Sequence, residues 1–279
     1  MKVASTILLE GETGTGKRLF AKSLHQLLCP NEPILELSLL GITVSELEEK
    51  LFGNMTQTGF LHAANAGVLL LTDVSEASEP VQITLTRLCQ FKRYFPIGSL
   101  REKSFKCRLL FTSQQTLEQL EIKSFYLGLL YLLRPQRISL PPLRDRKNDI
   151  GLLLIHFTEQ ACQRLEREYL SAPVELIEKL EPYDFPGNIT ELKSLVFSAV
   201  HISYGNELSV TPFLQALKQS SPSQVKQDIK FPEMLPTIND LVQKLIHEAL
   251  VRTNNNQSAA AKLLGITQSA LSRRLSKSE

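Results

Sequence analysis

No run of about 18 apolar residues occurs in this 279-residue chain, so a membrane-spanning helix is not expected. The N-terminus also lacks the basic, apolar and small-residue succession of a secretory signal. A net excess of charge is lacking: the formal balance is +2, too small to indicate nucleic-acid binding, so any basic patch must be local. Cysteine is sparse, and Cys29, Cys89, Cys107 and Cys162 form no CxxC pair. They read as reduced thiols in a cytoplasmic protein. His25, His62, His156, His201 and His247 are equally dispersed, so no metal site is expected beyond a nucleotide-carried Mg²⁺. What is present, 43% hydrophobic and 22% charged residues, suits a globular chain long enough for two or three compact units.

Apolar runs alternate with helix-patterned stretches from Val3 to about Ser113. Strands are expected at ILL (7–9), ILELSL (34–39), GVLLLT (67–72) and CRLLFTS (107–113), with amphipathic segments at 18–28, 44–51 and 80–90 between them. This alternation predicts a mostly parallel sheet with helices on both faces, an α/β fold. The strand feeding the first loop starts only two residues from Met1, and further structure is expected ahead of it. Two prolines in PPLRDR (141–146) break the pattern; the chain from Asp149 to His201 then reads as helical, with YDFPG (183–187) as a loop and Asn188 placed to cap the next helix. QSSPSQVKQD (219–228) reads as a linker. In the last segment Thr237 can cap a helix whose face carries Ile238, Leu241, Val242, Leu245, Ile246, Ala249 and Leu250; either a symmetry mate or its own domain must cover that stripe. The domain boundaries that follow are 1–140, 141–218, a linker at 219–234, and 235–279.

Gly11-Glu12-Thr13-Gly14-Thr15-Gly16-Lys17 matches G-x-x-x-x-G-K between a strand and a helix. Its glycines let backbone N–H groups ring phosphates, Lys17 supplies a point charge, and the helix adds its positive end. Position 18 is Arg, where the general pattern has a Mg²⁺-binding hydroxyl. Arg18 and Lys22 either add charge for a phosphate dianion or are solvated side chains on a helix. Hydrolysis also needs acids at a neighbouring strand end, one for the metal and one to orient water. There the chain offers Thr72 and Asp73, and Asp73 reads equally well as a polar residue ending a core strand.

NNNQSAAAKLLGITQSALSRRL (254–275) has the spacing of a helix-turn-helix: small Ala261 at the crossing, Gly265 at the turn, apolar Leu271 at the return contact. Thr267 caps the second helix, and Gln268, Ser269, Ser272 and Arg273 take its exposed face, with Arg274 and Lys277 adding charge. The competing reading is a helical hairpin ending in a solvated charge run.

With these motifs in order, the chain resembles the bacterial enhancer-binding proteins, activators of sigma-54 RNA polymerase, over an AAA+ P-loop α/β domain, a helical lid and an all-α Fis-type helix-turn-helix. GETGTGK, ELEEKLFG (46–53), LPPLRDRKNDI (140–150) and FPGNITEL (185–192) carry the resemblance. The family's Gly-Ala-Phe-Thr-Gly-Ala loop, which contacts sigma-54, is missing where LFG (51–53) runs through NMTQ into TGFLHAANAG (58–67). The family's Asp-Glu pair falls on Thr72 and Asp73, its Asn switch on Ser38 and its sensor Asn on Gln114. Its two trans-acting arginines fall on Tyr126 and Leu132, and its sensor arginine on Thr190.

The resemblance therefore implies a degenerate member: no catalytic residues, no useful ATP hydrolysis, and action on RNA polymerase without sigma-54. A nucleotide ligand, ATP or cyclic di-GMP, is expected on the loop, because some members bind cyclic di-GMP on this module and control biofilm or motility genes. The pattern of losses is most similar to the Vibrio exopolysaccharide (biofilm) master regulators. Palindromic promoter DNA bound by a homodimer or higher oligomer is expected, with a response-regulator receiver domain ahead of residue 1. Two other readings stay open: an ATP-hydrolysing sigma-54-dependent activator, and a nucleotide-binding scaffold that does not touch DNA.

Overall fold

The computed structural model describes residues 6–54, 56–123, 125–219, 237–253 and 256–275. The chain forms two compact units, Met1–Ser221 and Pro222–Glu279. The expected linker lies almost wholly within 220–236, outside the described residues, as does the first half of the Val3 strand.

The first unit opens with β1 (Thr6–Glu10), α1 (Lys17–Leu28), β2 (Ile34–Ser38), α2 (Val44–Phe52), α3 (Phe60–Ala63) and β3 (Val68–Thr72). It continues through α4 (Glu79–Phe91), β4 (Arg93–Tyr94), β5 (Lys103–Ser104), β6 (Arg108–Ser113), α5 (Leu117–Ile122), α6 (Leu127–Leu133) and β7 (Arg137–Ser139). Five strands form a sheet in the order β2-β3-β6-β1-β7, with every pairing parallel. Period-two alternation sorts the strand residues between two faces. Leu8, Leu69, Leu71, Leu109 and Phe111 join the core that α2, α4 and α6 cover, whereas Ile7, Leu9, Val68, Leu70 and Leu110 pack with Ala21 and Phe20 of α1. β3 is buried along its whole length, which is why it reads as an unbroken apolar run. The expected strands appear within a residue or two of their boundaries, while β7 and the β4–β5 hairpin add to them.

The helical part of this unit comprises α7 (Asp149–Arg164), α8 (Val174–Leu180), α9 (Asn188–Ile202) and α10 (Thr211–Gln219), closed on a separate core around Leu154, Phe185, Leu192, Val196 and Phe213. The second unit holds α11 (Ile238–Arg252), α12 (Gln257–Leu263) and α13 (Gln268–Leu275). Its core is Ile246, Ala249, Ala260, Ala261 and Leu271. The unit thus covers part of the α11 stripe itself, burying Ile246 and Ala249 while Leu245 stays 53% exposed.

Candidate functional site

The phosphate loop leaves the carboxyl end of β1 and enters α1, where a parallel sheet places its ligands. Three of its glycines need the left-handed region: Gly11 at φ +151°, Gly14 at +82° and Gly16 at +99°. A Cβ on Gly14 would fall 2.2 Å from the Gly187 carbonyl oxygen, so the lid backbone sits directly on the loop.

That lid contact is polar and specific. Arg144, in the 3-10 turn Leu143–Asp145, grips the Glu12 carboxylate with both arms at 2.9 and 2.6 Å. Asn188 donates from Nδ2 to Glu12 at 3.2 Å and to the Thr13 carbonyl at 3.0 Å, and its Oδ1 accepts from the Leu143 N–H at 2.8 Å. The Ile189 N–H bonds the Gly14 carbonyl, and Arg146 donates to the Thr15 carbonyl at 2.7 Å. Glu12 is held down to a pKa of about 2, first by its hydrogen bonds from Arg144 and Asn188 and then by the charges of Arg144 and Lys17. Asn188 therefore does not cap α9 as expected: it sits at φ +53°, fully buried, and ties the lid to the loop. The α9 start is closed instead by Glu191, which accepts from the Gly187 N–H at 2.7 Å.

On its other side the loop borders a cavity of about 260 Å³ lined by Thr13, Gly14, Gly16, Lys17, Arg18, Thr72, Asp73, Thr112, Gln114 and Thr190. The strand order brings this about, because β6 lies between β1 and β3 and their ends converge. Lys17 Nζ donates to the Gly11 and Glu12 carbonyls at 2.6 and 2.9 Å. Burial lowers its pKa, against the opposing pull of Asp73 and Glu12. Asp73, at φ +61°, accepts from Gln114 Nε2 at 3.3 Å, and Gln114 in turn accepts from Thr13 Oγ1 at 2.9 Å. Among the described residues the buried Thr72 hydroxyl has no hydrogen-bond partner.

The expected site residues divide accordingly. Thr13, Gly14, Gly16, Lys17 and Arg18 meet at the cavity, with Arg18 also paired to Glu36 at 2.7 Å. Gly11 is bonded to the Ser113 carbonyl, Glu12 is turned to the lid, and Thr15 is buried with its hydroxyl on the Glu12 carbonyl. Lys22 is exposed and is not among the lining residues. Among the described residues Asp73 is the one carboxylate in the lining. Among the described residues no group of three or more His, Cys, Asp or Glu could hold a metal ion on its own. Ser38 ends β2 and is exposed; Tyr126 precedes α6, where its N–H donates to Gln82 Oε1 at 2.8 Å. The missed members of the site are Arg144, Arg146 and Asn188, which reach the loop only after folding.

In the second unit Gly265 sits at φ +66° in the turn between α12 and α13, Ala261 and Leu271 are buried at the crossing, and the Thr267 hydroxyl accepts from the Ala270 N–H at 3.3 Å. Asn256 caps α12, accepting from the Ser258 and Ala259 N–H groups at 3.1 Å. Thr267, Gln268, Ser272, Arg273 and Arg274 are all exposed. The Ser269 side chain and Lys277 lie outside the described residues. A capped α13 with its polar face outward has the form of a recognition helix.

A phosphate loop on a five-stranded parallel sheet, a helical lid and a separate helix-turn-helix define an AAA+ P-loop module followed by a DNA-binding domain. Comparison with known families agrees along the chain. Residues 1–139 match the Sigma-54 interaction domain, 144–230 the AAA+ ATPase lid domain, and 240–277 the Bacterial regulatory protein, Fis family. The chain belongs to the bacterial enhancer-binding proteins, a family of DNA-binding transcription regulators. It is 31% identical, over 86% of its length, to the DNA-binding transcriptional activator HyfR of Escherichia coli K12, covering 35% of that relative. It is 30% identical over 98% of its length to the transcriptional regulatory protein ZraR of Salmonella typhimurium, covering 63% of it. The chain thus spans between about a third and two thirds of these relatives. A crystal structure of NtrX from Brucella abortus in complex with ADP superposes with a TM-score of 0.70 at 22% identity, over 98% of this chain and 64% of that one, a likeness of fold.

Proposed function

We propose that this chain is the regulatory and DNA-binding part of a transcription regulator whose AAA+ module holds a nucleotide-type ligand without hydrolysing it. The observation that carries this reading is the cavity wall facing the loop. It presents one carboxylate, Asp73, already engaged by Gln114, beside the neutral and unpartnered Thr72, and Thr190 in place of a sensor arginine. Charge neutralisation, water orientation and an arginine each contribute to phosphoryl transfer. A site lacking two of the three binds better than it turns over. The loop itself is shaped to accept phosphate, with its glycines in place and Lys17 beside the cavity. ATP and cyclic di-GMP are the two ligands in question; NtrX, the structural neighbour, has been crystallised with ADP and with ATP.

In this reading α13 enters the major groove of palindromic promoter DNA, a dimer or higher oligomer supplies the second half-site, and RNA polymerase is engaged without sigma-54. The closed turn between Gly53 and Gly59 supports the last point. Gly53 bridges to Thr58 and Asn54 Oδ1 collects the N–H groups of Thr56 and Gln57, in the place of the family's long sigma-54 loop. Control of exopolysaccharide and biofilm genes is the physiological role the resemblance suggests.

A second reading, an ATP-hydrolysing sigma-54-dependent activator, is favoured by the matched Sigma-54 interaction domain and by relatives such as the putative uric acid sigma-54-dependent transcriptional regulator UacR of E. coli, 28% identical. Parallel calorimetric titrations with ATP, GTP and cyclic di-GMP test the first reading. Saturable heat with at least one of them, abolished in Lys17→Ala, is expected; no binding by any of the three overturns it.

A further inference from the structure

The chain's near-neutral balance conceals one strongly basic surface. Between Arg87 and Lys106, at the end of α4 and around the β4–β5 hairpin, stand Arg87, Lys92, Arg93, Arg101, Lys103 and Lys106 against a single acid, Glu102. That is a local charge of +5 in a chain whose total is +2, so the remainder is net acidic. Five of the six cations are exposed and Lys92 is half-buried; among the described residues only Arg93 has an ion pair, with Glu102 at 3.1 Å. Aromatic and aliphatic side chains are interleaved with them: Phe91 is 65% exposed, Phe95 53% and Leu100 99%. The surface is held in shape by the Ile97 N–H bonded to the Gly53 carbonyl at 2.9 Å and by Phe52 stacked on Tyr94. It lies at the opposite end of the sheet from the phosphate loop, because the hairpin feeds the amino end of β6.

We propose that this face of the AAA+ unit is a second, sequence-independent DNA-binding surface, separate from α13. Exposed cations mixed with aromatic rings form the electrostatic footprint of a nucleic-acid site. The adjacent apolar groove, about 570 Å³, does not by itself point to a protein partner. Its own charged lining is balanced, with Arg87 and Arg93 against Glu48 and Glu102. The excess charge lies outside that lining, at Lys92, Arg101, Lys103 and Lys106 on the same hairpin segment, with Lys103 bordering the neighbouring pocket beside Asn54 and His62; a polyanion backbone matches it. The exposed Phe95 and Leu100 then meet the sugar edges or base faces, as apolar side chains do in groove-binding proteins.

The test uses the full chain and a random-sequence DNA duplex, with affinity measured across a potassium chloride series. Each phosphate no longer neutralised lowers the slope of log affinity against log salt by up to about 0.9. Replacing three unpaired cations, R101Q/K103Q/K106Q, is therefore expected to lower it by roughly 2 to 3. The charge-keeping variant R101K/K106R should retain the parent slope, which separates removal of charge from misfolding of the hairpin. Arg273→Ala serves as the comparison on α13: it should weaken preferred sites, whereas the hairpin variant should weaken all duplexes alike. Unchanged slope and affinity in the hairpin variant overturn the proposal, including in favour of an acidic protein segment on the same face.

Discussion

The two sides of the phosphate loop are built on different principles. On the lid side the carbonyls of Thr13, Gly14 and Thr15 each accept a bond from Asn188, Ile189 or Arg146, and the Glu12 carboxylate is clamped by Arg144. On the cavity side one chain of side-chain bonds, Thr13 to Gln114 to Asp73, crosses a wall that also contains the unsatisfied Thr72 hydroxyl. The loop's shape is therefore secured largely from the lid, with Lys17 adding bonds to the Gly11 and Glu12 carbonyls. A change of side chains on the facing wall would leave those lid-side bonds in place, which is what the proposed function requires of the loop.

Substitutions on the two sides should separate cleanly when unfolding of the first unit is followed by circular dichroism, a suitable probe for a chain without tryptophan. The largest effect is expected for Gly14→Ala, which forces a Cβ into the left-handed region and onto the Gly187 carbonyl. A destabilisation of about 3 kcal/mol is anticipated, since strain and a backbone clash combine. Asn188→Ala removes three bonds and leaves the buried Leu143 N–H without its acceptor, a cost of about 2–3 kcal/mol. Arg144→Ala should cost no more than about 1 kcal/mol, because both its side chain and that of Glu12 are more than a third exposed. Thr72→Val, on the cavity side, removes a buried hydroxyl that has no partner and should leave stability unchanged or raise it by up to about 1 kcal/mol. A destabilisation by Thr72→Val comparable to that of Asn188→Ala would erase the contrast.

The Glu12 clamp also has a pH signature. Its folded-state pKa lies below the ordinary 4.5, at about 2, so the stability it contributes is present above pH 4.5 and is lost as pH falls toward 2. Glu12→Gln should flatten the unfolding profile in that window and leave it unaltered at neutral pH except for the missing clamp. An identical acid-side slope in the two proteins would mean the clamp does not form in solution.

How far the sequence discloses these features depends on whether their signal is local. The four long strands, the phosphate loop and the helix-turn-helix are legible because hydrophobic period, glycine placement and capping residues all act within a few positions. The strand β7 is three residues, with Ile138 between Arg137 and Ser139, too short to show a period. The hairpin strands are two residues each, and the basic surface they carry is masked by the acidic remainder of the chain. Asn188 precedes a helical pattern and so resembles a cap; its partners Glu12 and Thr13 lie some 175 positions earlier and are brought to it only by the closing of the lid on the loop. Ile246 and Ala249 are equally ambiguous in sequence, and become assignable only because α12 and α13 cover them.

The central claim, a loop that holds its ligand without cleaving it, is tested most directly by phosphate release from ATP, measured on protein whose saturation has been set by titration. Release from the parent chain is expected to be no faster than from Lys17→Ala. Steady release from the parent that Lys17→Ala abolishes would contradict the claim.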